Sequence, residues 1–131
     1  MSNYNYKIGI IKNDILDFIK KKTEDVNNED KSYRDYKIDD LVIEMSDYYI
    51  WLFEQDFIDC ITQNMLQQIS LAGKTTIYVL KTFIKLNPEY DINTLNNFLT
   101  EFVNTQFSDF DNWCYGLHFA YDSIFNRRLF V

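Results

Sequence analysis

The stretch DINTLNNFLTEFVNTQFSDFDNWCYGLHFAYDSIF, residues 91–125, decides the fold class. After Asp91, a residue type that caps helix N-termini, Ile92, Leu95, Phe98, Leu99, Phe102 and Val103 fall on one helical face. After Ser108 or Asp109, a second stripe runs through Phe110, Trp113, Cys114, Leu117, Tyr121, Ile124 and Phe125. Two amphipathic helices in succession, each behind a capping residue, predict an all-α domain.

Working back from this stretch, Asn87-Pro88-Glu89 interrupts the chain, because proline disfavours a helical residue before it. Residues 75–86 are rich in β-branched side chains. Even so, Ile77, Leu80, Phe83 and Ile84 make a helical stripe, with Lys74, Tyr78, Lys81 and Lys85 on the other face. A helical pattern also starts at Asp39 or Asp40 and places Val42, Tyr49, Phe53, Phe57 and Cys60 near one face. It continues through Ile61, Met65 and Ile69, with a break expected near Glu54–Asp56 and Gly73 punctuating its end. Residues 23–37 are polar without sustained period and are expected to form a surface loop.

Near the N-terminus two periods compete. Tyr4, Tyr6, Ile8 and Ile10 alternate as in a strand, whereas Ile8, Ile11, Ile15, Phe18 and Ile19 follow a helix. The helix is expected from about residue 14 to Lys22, and residues 4–11 stay open between a short strand and helix. The expectation is an irregular bundle of five to six helices in one domain spanning residues 1–131, a length typical of single domains.

Composition narrows the function classes. Apolar residues form 47% of the chain, enough to exclude general disorder, and 18% are aromatic, so several tyrosines belong at the surface. The longest purely apolar run, Tyr48–Phe53, is far short of the ~20 residues of a membrane helix. Cys60 and Cys114 lack metal-type spacing and suit a reducing compartment, and the N-terminus has no signal-peptide core. The expected location is the cytoplasm.

The net charge of −7 is unevenly spread. Between Lys37 and Lys74 stand seven acids and no base: Asp39, Asp40, Glu44, Asp47, Glu54, Asp56 and Asp59. Between Lys85 and Arg127 stand six more: Glu89, Asp91, Glu101, Asp109, Asp111 and Asp122. Such a field disfavours direct nucleic-acid binding and favours a basic protein partner. On a helix over 41–55, Trp51 shares a face with Glu44, Asp47 and Gln55 and has Tyr48 nearby. Trp among carboxylates suits an interface anchor, although Trp is also a residue that packs inside. Asp109, Asp111 and Trp113 repeat the combination.

Catalytic and metal readings are thin. Cys114, His118 and Asp122 recur every four residues, but zinc needs four ligands and a Cys–His pair needs an oxyanion hole, and neither is supplied. Gly73-Lys74-Thr75 resembles the end of a phosphate loop, yet Gln68 replaces the required first glycine. Asp109-Phe110-Asp111-Asn112 lacks the glycine of a calcium loop. No cofactor or metal is expected, and no enzymatic activity.

By this profile the expected function is stoichiometric binding of a basic protein. Immunity proteins and antitoxins that neutralise nuclease toxins share the profile, because nucleases need positive surfaces. The expected contact residues are Glu44, Asp47, Tyr48 and Trp51, or Asp109, Asp111 and Trp113. Two other classes stay open: a phage-type anti-defence inhibitor of a nucleic-acid-binding protein, and a structural or regulatory helical subunit.

Overall fold

Tyr4, Ile8, Ile11, Ile15, Ile19, Thr23 and Val26 recur every three or four residues, and this stripe makes residues 3–27 one continuous helix, α1 (Asn3–Asn27). All but Ile8 are buried, and Ile8 packs partly buried on the same core. The structure, a computed structural model, describes residues 3–129, with side chains described for residues 3–124.

Two expectations are corrected at once. Residues 4–11 are helical, so the helix starts at Asn3 instead of near residue 14, and no described residue is in a strand. Residues 23–37 are not a loop, because only residues 28–30 separate α1 from α2 (Lys31–Phe57). Composition hid this because the stripe passes through a threonine. The Thr23 hydroxyl is buried, 2.8 Å from the Lys20 carbonyl and 2.9 Å from Asn96 Oδ1, so it satisfies its polarity inside the bundle. Arg34 helps close the turn by donating to the Asn27 carbonyl at 3.1 Å, a group left without a helical partner at the end of α1.

The next helix, α3 (Gln63–Leu86), begins after residues 58–62, later than the expected break at Glu54–Asp56. Thr62 caps it, its hydroxyl accepting from the Met65 N–H at 3.2 Å. Gly73 does not end a helix. It lies inside α3, where an added Cβ would meet the Met45 carbonyl oxygen at 2.8 Å and Ser46 Cα at 2.9 Å. The missing side chain therefore lets the backbones of α2 and α3 approach. Beside it the Ser46 and Ser70 hydroxyls share a 2.6 Å hydrogen bond. Within the β-branched run the Thr75 and Thr76 hydroxyls are satisfied by donating back to the Leu71 and Ala72 carbonyls.

Asp91 stands at the N-cap of α4 (Ile92–Ser108), as expected. The second stripe is split into α5 (Phe110–Trp113) and α6 (Leu117–Leu129), where a single helix was expected. Gly116, at φ +93°, takes the left-handed conformation that breaks it. Phe125, Arg127 and Arg128 lie outside the residues whose side chains are described.

In this all-α bundle, α1 packs on α2 and α4, and α3 packs on α2 and α4, closing a ring of four helices. Short connections make the neighbours antiparallel. Cross-helix pairs agree: Lys7 meets Asp56 near one end of α1 and α2, and Lys22 meets Glu44 further along. Inside, the buried Tyr49 hydroxyl bonds Thr76 Oγ1 at 3.0 Å and donates to Gln106 Oε1 at 2.7 Å, while Gln106 Nε2 donates to the Ala72 carbonyl at 3.1 Å. This one network ties α2, α3 and α4. At the far end α5 and α6 lie against the start of α1, where Tyr4 packs on Phe57, Phe110, His118 and Tyr121.

Candidate functional site

The inward residues of α2, Ile38, Leu41, Met45, Tyr49, Leu52, Phe53 and Phe57, fix which face turns outward. That outer face carries Tyr36, Asp40, Ile43, Asp47, Trp51, Glu54 and Ile58, again at steps of three and four. The four apolar members are well exposed: Tyr36 71%, Ile43 66%, Trp51 55% and Ile58 61%. The three acids between them are seven residues apart, one above another along the helix. None of the three forms an ion pair among the described residues.

Beside this ridge α1 contributes a stack. The Tyr48 ring lies over Phe18 at 4.1 Å between centroids and over Trp51 at 6.1 Å, the planes within 19° and 16° of parallel. Lys22 reaches over Phe18, 5.2 Å from its centroid, and pairs with Glu44 at 2.6 Å. Partial burial first, then the charges of Asp14 and Asp17, pushes the Tyr48 hydroxyl above its ordinary pKa, so two further carboxylates face this stack. The result is a row of three aromatic rings edged by Asp14, Asp17 and Asp47.

Of the expected contact residues, Asp47, Tyr48 and Trp51 thus meet on one exposed surface. Glu44 adjoins it but is engaged by Lys22. Asp14, Asp17 and Phe18 were missed. They lie within the helix expected from about residue 14 to Lys22, and only the packing of α1 on α2 brings them to Tyr48.

The other trio is built differently. Trp113 is half-buried, stands edge-on to Phe53, Phe107 and Phe110, and donates its indole N–H to the Gln106 carbonyl at 2.8 Å. Asp111 accepts from the Tyr4 hydroxyl at 3.0 Å, and Asp109 accepts from Asn112. Trp113 and Asp109 thus brace the α4–α5 corner and Asp111 ties α5 to α1, with both carboxylates at the exposed surface.

The acidic blocks also change in space. Lys81, Lys22 and Lys7 reach from other helices to Asp39, Glu44 and Asp56, so three of the first block's seven acids are neutralised. Asp40, Asp47 and Glu54, which form no ion pair among the described residues, lie along the outer ridge of α2.

Cys114 and His118 do not share a helix, because Gly116 separates α5 from α6. Burial, helped by the Asp111 charge, pushes the Cys114 thiol up to about 12, so at neutral pH it is protonated and a poor nucleophile. His118 pairs instead with Asp122, Nε2 to Oδ2 at 2.8 Å, and its ring lies 4.5 Å from that of Tyr4. This arrangement fastens α6 to α1. Among the described residues no group of three or more His, Cys, Asp or Glu could hold a metal ion, and no helix is long and apolar enough to cross a membrane.

Comparison with protein-family models, with curated proteins and with solved structures finds no match.

Proposed function

We propose that this protein is a non-catalytic binder of a basic protein, and that the α1–α2 face is its contact surface. The observation that carries the reading is the ridge of α2, where Ile43, Trp51 and Ile58 are exposed between Asp40, Asp47 and Glu54, which have no ion-pair partner among the described residues. Monomeric proteins seldom leave large apolar side chains in such a row without use. A central aromatic anchor ringed by charges gives affinity through the ring and orientation through the acids. The Phe18–Tyr48–Trp51 stack holds Trp51 in place before contact, which lowers the entropy lost on binding.

Within that class the reading we favour is an immunity protein or antitoxin acting in the cytoplasm on a nuclease-type toxin. A nuclease must present a positive surface to its phosphate substrate, and an acidic ridge matches that surface. Inhibition would then be stoichiometric occlusion of the nucleic-acid site.

The test is affinity capture from the native cell on two baits in parallel, the wild-type chain and the Asp47→Lys/Trp51→Ala double variant. Recovery of a basic protein on the first and its loss on the second supports the reading. Equal recovery removes this face as the site, and recovery of no basic protein on either bait removes the function. A recovered protein with nuclease activity that one equivalent of this chain abolishes would support the toxin–immunity assignment, and undiminished nuclease activity would sink it.

A further inference from the structure

On the opposite side of α3 from α2 lies a surface with the reverse character. Thr75, Tyr78, Val79, Phe83, Leu86 and, from α4, Phe98 line an open apolar groove of about 570 Å³. Tyr78 and Leu86 are more than half exposed. No acidic residue occurs anywhere in α3, and Lys74, Lys81 and Lys85 run along the groove's edge with Tyr78 among them. Lys81 pairs with Asp39 at 2.6 Å, and neither Lys74 nor Lys85 has an ion-pair partner among the described residues. This basic, apolar strip takes no part in the function proposed above.

We infer that the groove accepts the α2 ridge of a second copy of this chain. Each half of the contact is on the molecule: an acidic ridge bearing Ile43 and Trp51, and an apolar groove edged by lysines. Lys74 and Lys85 would face the ridge's Asp40, Asp47 and Glu54 across the contact, while Lys81 keeps Asp39 of its own chain.

Charge also decides the symmetry. Ridge against ridge would oppose three carboxylates to three carboxylates, and groove against groove would oppose lysines to lysines, so these like-on-like arrangements are repelled. Ridge into groove is the attractive pairing. It joins different surfaces of the two copies and leaves a ridge and a groove free at the ends, so copies add head to tail. Because Trp51 lies in the ridge, self-association and a basic partner compete for it. The inference nevertheless rests on the groove, not on the partner's identity.

Sedimentation velocity on the full chain tests it, from about 10 µM to about 500 µM protein, and at about 50 mM and about 500 mM NaCl. The expected result is a weight-average sedimentation coefficient that rises with concentration at low salt, with at least a tenfold loss of association at high salt. Trp51→Ser and Tyr78→Asp, both at exposed positions, should each remain monomeric. Mixed in equal amounts they should form a 1:1 dimer, since one retains the groove and the other the ridge. Circular dichroism of each variant establishes that it is folded. A wild-type chain that stays monomeric throughout, a mixture that stays monomeric, or either variant associating as the wild type does would overturn the inference. None of these outcomes touches the capture experiment, which reads a different protein.

Discussion

At the residue scale, the glycines separate packing from propensity. Gly9 and Gly73 both lie inside helices, where alanine is intrinsically preferred by about 1 kcal/mol. An added Cβ meets nothing within 4 Å at Gly9, but backbone atoms under 3 Å at Gly73. Gly9→Ala should therefore stabilise the fold by about 0.5–1 kcal/mol. Gly73→Ala should destabilise it by about 1–3 kcal/mol, because α2 and α3 must separate. Urea unfolding of the two variants checks the opposite signs, and two shifts in the same direction would refute the account of the α2–α3 contact. Cys114 makes a pH prediction. Its thiol ionises near 9.0 in the unfolded chain and holds its proton up to about 12 in the folded one. Across that window the unfolded state binds fewer protons, so stability falls as pH rises and is unaffected by this group below it. The buried hydroxyls of Tyr4 and Tyr49, also pushed upward, act in the same direction. The urea midpoint should fall steadily from about pH 9 to about pH 11, and more gently in Cys114→Ala. A midpoint that rises over this range would contradict the assignment.

At the scale of elements, the two tryptophans divide stability from recognition. Trp113 sits against Phe53, Phe107 and Phe110, so Trp113→Ala should cost about 3 kcal/mol. Trp51 is exposed and stacks on Tyr48, and Trp51→Ala should change stability by no more than about 0.5 kcal/mol. Thermal unfolding of both variants measures this, and comparable losses would show that Trp51 is structural. The sequence made the Trp51 face legible because Tyr49 and Phe53 fix the inward side of α2 by periodicity alone. It made α4 legible for the same reason, through Leu95, Leu99 and Val103. Elsewhere the inward stripe passes through polar or small residues. Thr23 continues α1 across what composition marks as loop, and Gly73 and Thr76 continue α3 across what composition marks as an end or a strand. Their polarity is satisfied by partners distant in sequence, such as Asn96 and Tyr49, and no local period can report that. Trp113 lies against the core as its place in the second stripe implies, and it is the helix break at Gly116 that the continuous apolar pattern does not report.

At the scale of the whole molecule, charge is redistributed by folding. Along the chain the acids form two blocks without bases, yet the bundle brings Lys7, Lys22 and Lys81 against the first of them. These pairs are partly or largely exposed and add little stability individually. Their effect is on the field: among the described residues Asp40, Asp47 and Glu54 are left without an ion pair in one line on α2, and Lys74 and Lys85 on α3. Association with a basic partner should therefore be steered, its rate falling at least tenfold between low and physiological salt, while fold stability changes little. Stopped-flow mixing at several salt concentrations measures this, and a salt-independent rate would mean that the ridge does not guide encounter. The most direct test of the central claim is the affinity of the captured basic protein for the wild-type chain and for Asp47→Lys/Trp51→Ala, measured by isothermal titration calorimetry. The account predicts a 1:1 complex that the double substitution weakens about 30-fold or more, roughly 2 kcal/mol, with both chains equally folded. An unchanged affinity would contradict it.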